Sequence, residues 1–180
     1  MEFVPTRIPD VVRISPRTFG DARGHFFEVW HSGRFAEAGL SVSFVQENQS
    51  QSAAGVLRGL HYQIRNPQGK LVRVLRGKIY DVAVDLRRSS PTFGQWVAET
   101  LSAENRAMLW VPVGFAHGFY AEELSDVAYV CTDHYAREHE RCIRFDDAAL
   151  AIRWPTRGQA PIVSDKDLEG TSFSDAELFP

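Results

Sequence analysis

The stretch RGLHYQIRNPQGKLVRVLRG, residues 58 to 77, carries His61, Gln63 and Lys70 between turn glycines. Side chains alternate along a strand, so His61 and Gln63 share a face. The turn at Asn66 to Gly69 brings Lys70 beside them if the two flanking strands pair as a hairpin. Further on, Pro112-x-Gly114-x-x-His117 offers a second imidazole. Two imidazoles and a weak amide next to an ammonium make a poor metal site, because a cation near Lys70 is repelled unless the amine deprotonates. An imidazole and an ammonium together suit another chemistry: removal of a proton next to a carbonyl, with the cation stabilising the enolate oxygen. Inverting the carbon then requires an acid on the opposite face. Tyr129, in VAYVCTDHY, is the candidate.

Each of these residues also has a plainer reading. A lone lysine is ordinarily exposed on its hairpin, a strand tyrosine ordinarily sits in the core or at its rim, and His117 reads as a core histidine or a support for the catalytic centre. Support is the favoured role for His117, while Trp110 and Phe119 read as core.

The elements that must position these groups read as strands. HFFEVW, SFVQENQS, VLRGLHYQ, KLVRVLRG, IYDVAVDLR, WVAETLS, AMLWVPV, VAYVCTDHY and CIRF follow one another with alternating or continuous β-branched and aromatic residues. Turn signals at Asn66-Pro67, Gly69, Gly77, Ser89-Ser90-Pro91 and Pro112-Val113-Gly114 separate them. The rhythm predicts an all-β domain of antiparallel strands, a barrel or sandwich. Only residues 32 to 40, SGRFAEAGL, read as a helix, with Ser32 as its cap and Gly39 at its end. In IYDVAVDLR, Asp81 and Asp85 share one face, and the reading favours solvent for them over a polar site. The tail from Thr156 to Pro180 reads as a polar loop.

With 180 residues, 44% of them hydrophobic and 12% aromatic, the chain suits one domain, residues 1 to 180, with a substantial core. A net charge of −3 without a basic stripe excludes nucleic-acid binding by counterion release. The N-terminus lacks the basic and apolar pattern of a signal peptide, and no apolar run is long enough to span a bilayer. The expectation is a soluble cytoplasmic protein that engages no membrane. Cys131 and Cys142 lack metal spacing and are expected as buried, reduced thiols.

The spacing around His61 and His117 resembles, in eroded form, the two motifs of the cupin superfamily, G-x5-H-x-H-x(3,4)-E-x6-G and G-x5-P-x-G-x2-H-x3-N. His61, Gln63, Lys70 and His117 fall at its four ligand places. A closer resemblance spans nearly the whole chain. DARGHFFE, FVQENQS, VLRGLHYQ, GKLVRVLRGKIYDVAVDLR, SPTFGQW, LSAEN, WVPVGFAHGF and SDKD are similar to the dTDP-4-dehydrorhamnose 3,5-epimerase family.

That resemblance implies a cupin-type jelly-roll β-barrel with a few short helices, assembled as a homodimer and needing no metal or coenzyme. It implies inversion of C3 and C5 of dTDP-4-dehydro-6-deoxyglucose through enolate intermediates. By motif position His61 would be the base, Asp167 its orienting carboxylate, Lys70 the enolate stabiliser and Tyr129 the acid. Arg23, Glu28, Gln46, Asn48 and Arg58 would surround the nucleotide and its diphosphate, with Phe26 against the thymine, in keeping with forked guanidinium contacts to phosphate and ring stacking. His25 and His134 stand where the family's pattern carries aromatic rings, which bears on product scope. The other readings are a C3-only epimerase of a related dTDP-4-keto-6-deoxysugar and a non-catalytic sugar-nucleotide-binding cupin.

Overall fold

A computed structural model describes all residues, 1–180. Thirteen strands and two short α-helices follow in chain order. They are β1 (Glu2–Pro5), β2 (Val12–Ser15), β3 (Thr18–Asp21), β4 (Gly24–Phe27), α1 (Ser32–Glu37), β5 (Gln46–Ser52), β6 (Leu57–Gln63), β7 (Lys70–Arg76) and β8 (Lys78–Asp85). Then come β9 (Trp96–Ser102), β10 (Met108–Val111), β11 (Phe115–Ala121), β12 (Ser125–Cys131), β13 (Glu140–Cys142) and α2 (Asp165–Leu168). No helix is long and apolar enough to cross a membrane.

The strands form a six-stranded sheet, β1-β2-β10-β7-β12-β5, and a five-stranded sheet, β13-β6-β11-β8-β9, with β3 and β4 as a separate hairpin. All pairs within them are antiparallel. From β5 onward the chain mostly alternates between the two sheets, so sequence neighbours often face each other instead of pairing.

Apolar residues from both sheets meet in the space between them. Val72, Leu109 and Val127 come from the six-stranded sheet, and Ile79, Val97, Leu101 and Phe115 from the five-stranded one. Burying each such side chain stabilises the fold by roughly 1.5–3 kcal/mol relative to exposure. The outer face of the five-stranded sheet, with Val82, Val84 and Leu86, is covered by Leu150, Trp154, Phe173 and Phe179 of the C-terminal segment. Phe35 of α1 and the apolar residues Val29, Leu40, Val42 and Phe44 cover the outer face of the six-stranded sheet. Trp110 and Phe119 are buried, as the sequence predicts.

Several sequence expectations are corrected. β6 and β7 are not a hairpin: β6 lies in the five-stranded sheet between β13 and β11, and β7 lies in the other sheet between β10 and β12. Residues 64 to 69 carry the chain across the gap, so Lys70 faces His61 from the opposite wall. Asp81 and Asp85 are fully buried, not solvated. Asp81 accepts from His117, and Asp85 accepts from Arg87, Ser90 and Thr92, which supplies the hydrogen bonds a buried carboxylate requires. The cap of α1 is the His31 imidazole, which accepts from the Arg34 N–H at 3.4 Å, in place of Ser32, while Gly39 turns the chain just beyond it with φ of 84°. The C-terminal tail is not loop throughout, since α2 forms there with Ser164 as its cap. β1, β2, β3 and β11 lie outside the strands that the sequence rhythm marks. Both cysteines are free, Cys131 buried and Cys142 half-buried.

Behind His61 two backbones come close enough to require glycine. A Cβ on Gly118 would meet the Arg58 carbonyl oxygen at 2.7 Å, and one on Gly59 would meet Gly118 Cα at 2.5 Å. Gly118→Ala therefore forces β11 from β6, and a loss of about 2 kcal/mol in denaturant unfolding is expected. An unchanged midpoint would show that the two strands have slack.

Candidate active site

A cavity of about 230 Å³ opens between the sheets, lined by Gln46, Asn48, His61, Tyr62, Gln63, Gln68, Lys70, Tyr129, Tyr135 and Glu140. Its walls come from opposite sheets. β6 and β13 supply His61, Gln63 and Glu140, and β5, β7 and β12 supply Gln46, Asn48, Lys70 and Tyr129.

His61 is fixed by a partner 106 residues away: its Nε2 lies 2.5 Å from Asp167 Oδ1. Ser164, the cap of α2, accepts from the Asp167 N–H at 3.3 Å, and Asp167 Oδ2 lies 3.4 Å from the Gly59 N–H. Burial works to raise the Asp167 pKa, but the His61 hydrogen bond and charge, with the Gly59 N–H and Ser164, hold it below the usual carboxylate value. An ionised Asp167 accepts, so His61 Nε2 carries the hydrogen and donates it. Nδ1, which has no hydrogen-bond partner within the protein, is then the atom free to take a proton.

Lys70 projects from the other sheet, beside Cys131 in the register and with its Nζ 5.9 Å from the Tyr129 ring centroid. Burial lowers the Lys70 pKa, against the opposing influence of Cys131, Asp81 and Glu140. Burial also raises the Tyr129 pKa, with Cys131 and Glu140 acting in the same sense and Arg58 against it. Tyr129 therefore holds its proton at neutral pH and is able to donate it.

His117 pairs in register with His61 and places Nε2 2.7 Å from Asp81 Oδ1. Both members are buried, and the other oxygen of Asp81 has no partner. The pair lies on β11 and β8, beside β6 in the same sheet, and the Asp81 charge favours the charged form of Lys70.

Gln63 is committed to structure. Its amide donates to the Asn66 and His134 carbonyls at 2.7 and 3.2 Å, and its oxygen accepts from the Ala136 N–H at 2.7 Å. Gln46 Oε1 accepts from the Tyr135 N–H at 2.8 Å, while its amide donates to Asn48 at 3.0 Å. Gln68 donates to the Asp133 carbonyl at 2.8 Å. Three glutamines thus pin residues 133 to 136 over the cavity.

Sequence reasoning missed Glu140, Tyr135 and Lys166. Glu140 Oε2 accepts from the Tyr135 hydroxyl at 2.6 Å and from Lys166 Nζ at 2.5 Å. Burial tends to raise the Glu140 pKa, yet Lys166 and Tyr135 lower it overall. The only signal in the sequence was Lys166 within SDKD; nothing in REHERC distinguishes Glu140.

Four expected binding residues stand elsewhere. Arg23 and Phe26 lie on the β3–β4 hairpin and line a separate hollow. Phe26 is 70% exposed there, and Arg23 pairs with Asp21 at 2.6 Å. Glu28 pairs with Arg34 at 2.8 Å. Arg58 donates to Ser52 Oγ and the Gln51 carbonyl at 2.9 and 3.0 Å, and its charge reaches Tyr129 from beside the cavity. His25 stacks on Phe27 with ring centroids 5.8 Å apart, and the His134 side chain is outside the cavity lining.

Asp167 also predicts a pH dependence. Its folded pKa is depressed, so its contribution is present above the unfolded value and is lost as pH falls through the folded one. Asp167→Asn is expected to cost about 2 kcal/mol at neutral pH. That deficit should shrink below the ordinary carboxylate range, as followed by denaturant unfolding across pH. A deficit that is constant with pH would contradict an ionised Asp167.

The family model for dTDP-4-dehydrorhamnose 3,5-epimerase matches residues 5–175. A dTDP-4-dehydrorhamnose 3,5-epimerase of Pseudomonas aeruginosa is 58% identical over 175 residues, covering 96% of each chain. Among solved structures, RmlC of Legionella pneumophila, a dTDP-6-deoxy-D-glucose-3,5-epimerase in complex with dTDP-4-keto-L-rhamnose, superposes with a TM-score of 0.94. It is 47% identical and the match covers 98% of this chain and 94% of that one. ChmJ of Streptomyces bikiniensis, a 3′-monoepimerase in complex with dTDP-quinovose, gives 0.88 at 30% identity, over 94% of this chain and 87% of that one. With the family model matched over nearly its full length, the chain belongs to the dTDP-4-dehydrorhamnose 3,5-epimerase family.

Proposed function

We propose that this protein epimerises C3 and C5 of dTDP-4-dehydro-6-deoxyglucose, giving dTDP-4-dehydro-L-rhamnose. The observation that carries the reading is the convergence of His61, Lys70 and Tyr129 on one cavity, with Asp167 behind the imidazole. His61 removes the proton next to the C4 carbonyl. Asp167 balances the imidazolium that forms, and Lys70 stabilises the enolate oxygen from the facing sheet. Fixed donors of this kind contribute roughly 3 kcal/mol each to such steps. Tyr129 returns a proton to the opposite face, inverting the carbon, and the same groups repeat the exchange at the second carbon. No step calls on a metal or coenzyme.

The chain serves this chemistry as a single domain, a cupin-type jelly-roll barrel in which the two sheets are its walls. A cavity of about 230 Å³ is smaller than the roughly 300–1,000 Å³ usual even for a drug-sized ligand. The rest of the nucleotide site comes from a homodimer: the β3–β4 hairpin, with Phe19 and Phe26 exposed and Arg23 at its turn, reaches a second copy. Arg58, Gln46 and Asn48 border the diphosphate from within the chain. The enzyme works in the cytoplasm.

The higher identity to a 3,5-epimerase than to a 3′-monoepimerase favours inversion at both carbons. Incubation with dTDP-4-dehydro-6-deoxyglucose in heavy water, followed by NMR, is expected to place deuterium at C3 and C5. Deuterium at C3 alone would establish the C3-only reading, and none at either would leave a sugar-nucleotide-binding protein. Tyr129→Phe is expected to lower kcat by about 100-fold or more.

A further inference from the structure

Cys142 has no place in the proposed chemistry, yet it sits against the base. It is the register partner of His61, on the neighbouring strand β13. Its Sγ lies 3.9 Å from Asp167 Oδ1, and a donor atom each from His61, Cys142 and Asp167 lie within 4.8 Å of one another. The three come from three separate elements, β6, β13 and α2, and enclose one point. An imidazole nitrogen, a thiol sulfur and a carboxylate oxygen are the donor set of a zinc-type ion and not of magnesium or calcium, which prefer all-oxygen shells. Tetrahedral zinc takes nitrogen and oxygen at about 2.0–2.2 Å and sulfur at about 2.3 Å, so modest opening of the His61–Asp167 contact admits it. The half-buried His61 leaves the fourth position to water from the cavity.

We infer that His61, Cys142 and Asp167 form an inhibitory site for a thiophilic divalent cation such as Zn²⁺. This site shares His61 with the eroded cupin set, but Cys142 and Asp167 lie outside that set, whose other places are Gln63, Lys70 and His117. The metal takes the place of the hydrogen between His61 Nε2 and Asp167. That hydrogen moves to Nδ1, where it occupies the lone pair that has to accept the substrate's proton. Cys142 releases its thiol proton to solvent and binds as thiolate. No electron is transferred, and chelation reverses the step. The inhibitory consequence rests on His61 being the base, whereas binding itself does not.

The test is titration of the full-length protein with Zn²⁺ by calorimetry, and with Co²⁺ by absorption, alongside turnover. One ion per chain, a thiolate-to-cobalt charge-transfer band, and turnover lost with Zn²⁺ and restored by chelator are expected. Mg²⁺ should do none of this. Cys142→Ser and Cys142→Ala should keep turnover, lose the cobalt band and bind zinc at least about tenfold more weakly. Cys131→Ser should bind zinc and show the cobalt band as the native chain does. Binding that is absent, or unchanged in both Cys142 variants, overturns the site. Stoichiometric binding through Cys142 that leaves turnover intact overturns the inhibition and, with it, the role of His61 as base.

Discussion

A carboxylate and an imidazole held 2.5 Å apart in the protein interior are the constraint on which the site depends. Burying Asp167 is costly unless its charge is met, and the chain meets it with His61, a backbone N–H from Gly59 and the cap of α2. Each partner has its own structural requirement. Gly59 occupies its place because Gly118 leaves room beside it, and α2 is held at its start by Ser164. The C-terminal segment therefore fixes the His61 imidazole as well as covering the five-stranded sheet. An imidazole oriented in this way needs no reorganisation to take a proton, which is the physical sense of a preorganised site.

The second feature is a lysine opposite that imidazole, and the crossover between sheets supplies it. Lys70 begins β7 on the wall facing His61 and is pulled toward neutrality by burial while Asp81 and Glu140 favour its charge. The His117–Asp81 pair, buried on the strands beside β6, contributes to that balance through Asp81 without lining the cavity. A tyrosine whose proton is secured by burial completes the set. Opposed elements on two rigid sheets hold these groups more firmly than a loop would, and the pinned residues 133 to 136 close one side.

The strand rhythm revealed the all-β character and most of the elements, since alternation is a local property. Pairing partners were not legible: the short turn at Asn66 to Gly69 has the composition of a hairpin, and only the completed sheets show that it bridges them. Asp81 and Asp85 read as solvated because their partners, His117 and the Arg87-Ser90-Thr92 group, are brought to them by tertiary contacts or a loop turn. His61 and Lys70 could be found from spacing and donor chemistry. Asp167, 106 residues from its imidazole, was reached through family resemblance alone, and Glu140 had no signal at all. Arg23 and Phe26 match the family's pattern but lie on a hairpin apart from the cavity, a separation that the pattern alone does not reveal.

The central claim is that His61 and Asp167 act as one unit. A double-mutant cycle on kcat/KM with His61→Ala, Asp167→Asn and the combination tests it directly. With the unit intact in the native chain, removing His61 should cost about 100-fold or more, and removing Asp167 as well should cost little beyond that. Two losses that simply multiply would contradict it, and would assign Asp167 to holding α2 in place with no part in the proton transfer.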